Sequence, residues 1–169
     1  MRLLALLSVA VLSFSAFAAT PYKTESIMLL QPDAVMRDRV PSTQAFVDYI
    51  KKSQAVAETT LASQSPTPTS GFIVFAVRPD SSKRIWLDFK PELPVETADR
   101  LRSAIQDVPV FTSKNGTVVF ALRATLWDAP SADGVPNPPE WSKAMSGQKK
   151  PMEVGDLVDM LVWPKEAGT

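Results

Sequence analysis

Residues Gly71 to Lys90 read GFIVFAVRPDSSKRIWLDFK. From Phe72 to Val77 every position is apolar. From Arg84 to Lys90 the pattern alternates, with Ile85, Leu87 and Phe89 on one face and Trp86, Asp88 and Lys90 on the other. A period of two is the signature of a strand, because successive side chains point to opposite faces. The polar RPDSS between the two runs is short enough to be a hairpin turn. Two neighbouring strands of one hairpin therefore have different surroundings. A strand with no polar position must be covered on both faces.

C-terminal to the hairpin, PELPVETADRLRSAIQDVP predicts a helix. Val95, Ala98, Leu101, Ile105 and Val108 recur every three or four residues. Pro94 suits the first helical position, Glu96 favours the N-terminal dipole, and Pro109 is the stop. TVVFALRATLW then predicts a strand. Val118, Phe120, Leu122, Ala124 and Leu126 share one face, while Val119, Ala121, Arg123, Thr125 and Trp127 share the other. The core order is β-β-α-β, over about residues 70–128. The helix returns the chain, so the third strand runs parallel to the second and pairs instead with the first. The expected fold class is α+β, a three-stranded antiparallel sheet in the order 2-1-3 with a right-handed crossover. The first strand is then central and the other two are edges. The Val95–Val108 helix is expected to cover one face.

N-terminal to the hairpin, PSTQAFVDYIKKSQAVAETTLASQ predicts a helix over about 42–62. Pro41, Ser42 and Thr43 form its start signal, and Phe46, Val47, Ile50, Ala57 and Leu61 its apolar face. The face thins at Ser53 and Gln54, so this helix is expected to give partial cover to the second face of the sheet. SQSPTPTSG is a Pro/Ser/Thr linker. The segment 19–69 also holds Ile27 to Leu30, which reads either as a short strand or as an apolar plug. The tail, 129–169, opens with a Pro-rich loop. A short helix around Trp141 and Met145 follows. A last helix, from about Met152 to Val162, carries Val154, Leu157, Val158, Leu161 and Val162 as an apolar stripe expected to dock on the domain.

The chain opens with MRLLALLSVAVLSFSAFA. A basic Arg2, an uncharged apolar run from Leu3 to Phe14 and Ala16-Phe17-Ala18 make up a cleavable signal peptide over residues 1–18. The run is too short for a membrane anchor. Its loss removes one base and no acid, and leaves 151 residues with a net charge of −1. Such a chain has no electrostatic pull toward nucleic acid or an anionic membrane. The absence of cysteine removes a lipid-anchor site and, in an exported chain, points to a periplasmic or secreted protein without disulfides. Asn115-Gly116-Thr117 fits a glycosylation sequon, and Asn-Gly is equally a turn pair; the turn is the expectation.

The chain has no histidine. That excludes a Ser-His-Asp triad and histidine-ligated metal. Remaining acid/base candidates are the pair Asp128 and Asp133 and the i, i+3 pair Asp156 and Asp159. Carboxylates do hydrolytic work only when two face each other across a cleft. Solvated loop and helix-surface acids are the expectation. Ser81-Ser82-Lys83 and Ser142-Lys143 lack the S-x-x-K spacing, and Ser131-Ala132-Asp133-Gly134 has too few acids for a calcium loop. Arg78, Lys83, Arg84 and Lys90 with Phe75 and Trp86 suggest at most a basic-aromatic surface. Edge-strand charges that discourage aggregation account for them.

The β-β-α-β segment resembles the C-terminal domain of the TonB energy transducers over about a third of the chain, Ser70 to Trp127. The resemblance rests on Gly71 opening the first strand, the RPDSSK turn, the helix ADRLRSAI and the closing strand TVVFALRATLW. The chain departs from that family in its cleavable leader, its short SPTP spacer and its faint VPVF echo of the motif after the helix. The resemblance implies a periplasmic binding module that pairs with partners through a strand edge. The expected function is an exported, non-enzymatic protein-binding module, with an immunity or inhibitor protein as the alternative and a carboxylate-dependent hydrolase as the third reading. No cofactor or metal is expected. Candidate partner-binding residues are Arg84, Trp86, Asp88 and Lys90, on the wetter face of the second strand.

Overall fold

The structure, a computed structural model, describes residues 19–146 and 152–164. The leader read over 1–18 lies outside the described residues. Four strands form one antiparallel sheet: β1 (Lys23–Leu29), β2 (Thr69–Val77), β3 (Lys83–Lys90) and β4 (Val118–Leu126). Their order is β1-β4-β2-β3. The helices are α1 (Asp33–Arg39), α2 (Thr43–Ala62), α3 (Val95–Gln106), α4 (Pro139–Met145) and α5 (Val154–Val162).

The expected three-stranded sheet is therefore wrong. β1 joins it, pairing Lys23 with Thr125 and Leu29 with Phe120, with an irregularity between Thr24 and Ser26. This strand is seven residues long, and its side chains alternate between exposed and half-buried. That weak alternation is why only the apolar Ile27–Leu30 stood out in the sequence. Its addition makes β4 central rather than an edge. All of β4 is buried except the half-buried Arg123.

The tight hairpin between β2 and β3 follows from its turn. Asp80 accepts the backbone N–H of Ser82 at 2.9 Å, and Ser81 adopts a left-handed φ of 63°. The Ser82 hydroxyl, which also donates to Asp80, and the Ser82 N–H hold the Asp80 carboxyl below its usual range, with the Arg78 charge helping. On β2, Ile73, Phe75 and Val77 point to one core, where Phe75 stacks on Phe120 at 4.8 Å. Phe72, Val74 and Ala76 point to the other.

The two helices expected on opposite faces lie on the same one. α2 contributes Tyr49, Ile50, Ala57 and Leu61, and α3 contributes Leu101 and Ile105, to a single core. Ser53, the apparent break in the α2 stripe, is buried there too. The second face is covered by the C-terminal helices, through Trp141 of α4 and Leu157 and Val158 of α5. The reason is areal. One twenty-residue helix plus α3 already fills one face, so the apolar stripe on α5 takes the other.

Polar groups seat α5. Gln31, which follows β1, donates to Glu153 Oε1 at 2.6 Å and to the Thr117 carbonyl at 3.0 Å, and accepts from Val119 N–H at 2.9 Å. Arg39 donates to Glu153 Oε2 at 3.0 Å and to the Thr117 carbonyl at 2.7 Å. Glu153 caps α5 by accepting Gly155 N–H at 2.9 Å. Thr117 donates to Asp159 at 2.5 Å. Among the described residues no helix is long and apolar enough to cross a membrane.

Candidate functional site: the outer edge of β3

Among the described residues the sheet ends at β3, whose far side has no strand partner. An edge strand turns the N–H and C=O of every second residue outward. Here that edge opens into a cleft of about 300 Å³. Leu87 to Lys90 form its floor. Leu93, Val95, Ala98 and Arg102 form one wall as the chain enters and follows α3, and Asn137 and Pro139 form the other. Val95 heads α3 and is 77% exposed. The helical period placed it on the buried stripe. At the first helical position it lies beyond the sheet, so it faces the cleft instead.

The four residues expected on a wet face divide. Trp86 is only 6% exposed, because Trp141 packs edge-on against it at 5.4 Å and Glu140 accepts its indole N–H at 3.0 Å. That is a correction: the face of β3 holding Trp86 is dry under α4. Arg84 is exposed and lies 4.0 Å from Glu140. Asp88 is half-buried and accepts Asn137 N–H at 2.8 Å. Lys90 is exposed. Asp88 and Lys90 line the edge cleft, while Arg84 and Trp86 do not. Asp88, Lys90 and Asn137 also line a second hollow of about 310 Å³, closed by Ser70, Phe72, Ser131 and Asp133. The two hollows meet around the end of β3.

The charges of the edge cleft are mixed. Asp88, Glu92 and Asp99 are set against Lys90 and Arg102, and Arg102 is already bonded to Asp99 at 2.7 Å. Backbone pairing and small apolar contacts, from Leu93, Val95 and Ala98, are what this cleft offers. Sequence reasoning missed Leu93, Val95, Arg102, Asn137 and Pro139. Three chain segments bring them together, and none carries a local motif.

The acid/base candidates have other partners. Asp128 accepts Thr20 N–H at 3.2 Å, while Asp133 lines the second hollow. Asp159 is bonded to Thr117 and lies 3.6 Å from Arg78. Lys83 donates to the Ile105 and Val108 carbonyls at the end of α3. Burial holds its amine below the usual lysine range, opposed by the charge of Asp107. Asn115 and Gly116 both have positive φ, 51° and 136°, so this pair makes a turn into β4. Among the described residues no three acidic side chains are grouped to hold a metal ion. Comparison with protein-family models, with curated proteins and with solved structures finds no match.

Proposed function

We propose that this chain is an exported, non-enzymatic protein-binding module that accepts an extended segment of a partner along the outer edge of β3. The observation that carries the reading is a free sheet edge lying at the floor of a walled cleft. Strand addition uses main-chain hydrogen bonds for affinity and flanking pockets for specificity. Leu93, Val95 and Ala98 supply the apolar wall, and Asp88 and Lys90 the polar end. The other edge, β1, exposes Ile27 and Leu29, at 48% and 45%. A walled cleft distinguishes the β3 edge.

The test is affinity purification of the tagged mature chain from the exported fraction, alongside Ala98→Arg. Ala98 is half-buried in the cleft wall. An arginine there obstructs the edge while leaving the helix intact. Met160→Arg on α5 is the control. One dominant co-eluting protein, lost with Ala98→Arg and kept with Met160→Arg, is the expected result. A chain that elutes alone, or a partner indifferent to Ala98→Arg in a folded variant, overturns the reading.

A further inference from the structure

The first described residues are tied to a carboxylate. Thr20 N–H lies 3.2 Å from Asp128 Oδ2. Ala19 packs half-buried against the main core, and Tyr22 is buried two residues later, its hydroxyl bonded to Thr24 at 2.7 Å. Asp128 is held in an unusual way. It and Trp127 have consecutive left-handed φ values of 58° and 49°. A non-glycine residue adopts such a conformation at a cost, and two in succession persist only where the surroundings hold them. Buried Trp127 anchors the turn at the end of β4. The exposed Asp128 carboxylate is thereby fixed over the start of the chain. Among the described residues no lysine or arginine pairs with it.

We propose that cleavage after Ala18 completes this site: the new α-ammonium of Ala19 closes on the Asp128 carboxylate and clamps the start of β1 to the end of β4. Hydrolysis of the Ala18–Ala19 peptide bond by an export peptidase consumes one water, leaving a carboxylate on Ala18 and an ammonium on Ala19. Three backbone bonds separate the nitrogens of Ala19 and Thr20, so the ammonium lies within about 3.7 Å of the amide already bonded to Asp128. The carboxylate then receives a charged donor and a neutral one from adjacent residues. The edge strand β1 is the element that gains. The uncleaved precursor lacks that charge, so removal of the leader strengthens the hold on β1, which is already paired with β4. The inference rests on the reading of residues 1–18 as a signal peptide.

Two measurements test it. Intact mass and N-terminal sequencing of the exported protein report the cleavage site, and a start at Ala19 is expected. Hydrogen exchange of the amides from Tyr22 to Ser26 is then measured on the mature chain and on one extended by Gly-Ser-Gly, each with and without Asp128→Asn. The asparagine keeps an acceptor for Thr20 and removes the charge. In the native chain the extension is expected to speed exchange about two- to fivefold, the scale of an exposed ion pair. The effect shrinks in about 0.5 M salt and disappears in the Asp128→Asn background. An uncleaved protein, or one starting elsewhere, refutes the leader reading and the clamp together. A start at Ala19 with an extension effect that is absent, or equal in both backgrounds, refutes the clamp alone.

Discussion

Glu153 offers the sharpest test of how the second face of the sheet is held. Its carboxylate accepts from Gln31, Arg39 and the Gly155 amide, so it pins α5 to the segment after β1, to α1 and to its own first turn. Its ion pair with Arg39, at 3.0 Å, is mostly buried, with the two side chains 26% and 16% exposed. Glu153→Ala removes a helix cap, worth about 1 kcal/mol. It also removes a hydrogen bond to a charged partner, worth about 1.5–3 kcal/mol. Partial exposure lowers the second figure, so a total of about 2–3 kcal/mol is expected. For a domain of this size that is a fall in Tm of about 5–10 °C.

The pH dependence isolates the charge. Burial would push the Glu153 carboxyl up; the bonds from Gly155, Gln31 and Arg39, together with the Arg39 charge, outweigh it and hold the carboxyl below its usual range. A depressed folded-state pKa means stability that is present above the unfolded value, about 4.3. It is lost as pH falls through the folded value. Glu153→Gln keeps the shape and one acceptor but turns the other oxygen into a donor facing a donor and removes the charge, so it is expected to cost at least about 1 kcal/mol at neutral pH. The gap should narrow as pH falls below about 4.3 and through the folded value. Urea unfolding across the acid range measures this. A gap between native and Glu153→Gln that stays constant with pH would refute the electrostatic account of the clamp.

Two further outcomes follow from packing. A Cβ on Gly71 would stand 2.1 Å from the Asp88 carbonyl and 2.6 Å from Phe89 Cα, both backbone. Gly71→Ala must therefore force β2 and β3 apart and cost at least about 2 kcal/mol by urea unfolding; a neutral variant would mean the strands have room to separate. Trp141→Ala strips the cover from Trp86, so a loss of about 3–5 kcal/mol is expected. A red shift in tryptophan emission should accompany it, and an unchanged spectrum would count against the dry Trp86–Trp141 contact.

What the sequence determined by itself is local. The alternation of Ile85, Leu87 and Phe89, the spacing of Leu101 and Ile105, and the turn chemistry of Asp80 and Ser81 each rest on neighbours in the chain. The unbroken FIVFAV run required two covered faces for β2, and Ile73 and Phe75 on one side with Phe72 and Val74 on the other show two cores. Only the tertiary structure decided what covers each face. An apolar helical stripe declares that it will be buried, not against what. α2 and α3 share one surface and fill it, so α5 takes the other, where Gln31 and Arg39, more than a hundred residues upstream, hold its capping Glu153. Trp86 had the same character. Its alternating strand marked a second face, but its dryness depends on Trp141, fifty-five residues away. β1 and the β3 cleft were hidden for the same reason. Each forms between segments distant in the chain, where no sequence period connects them.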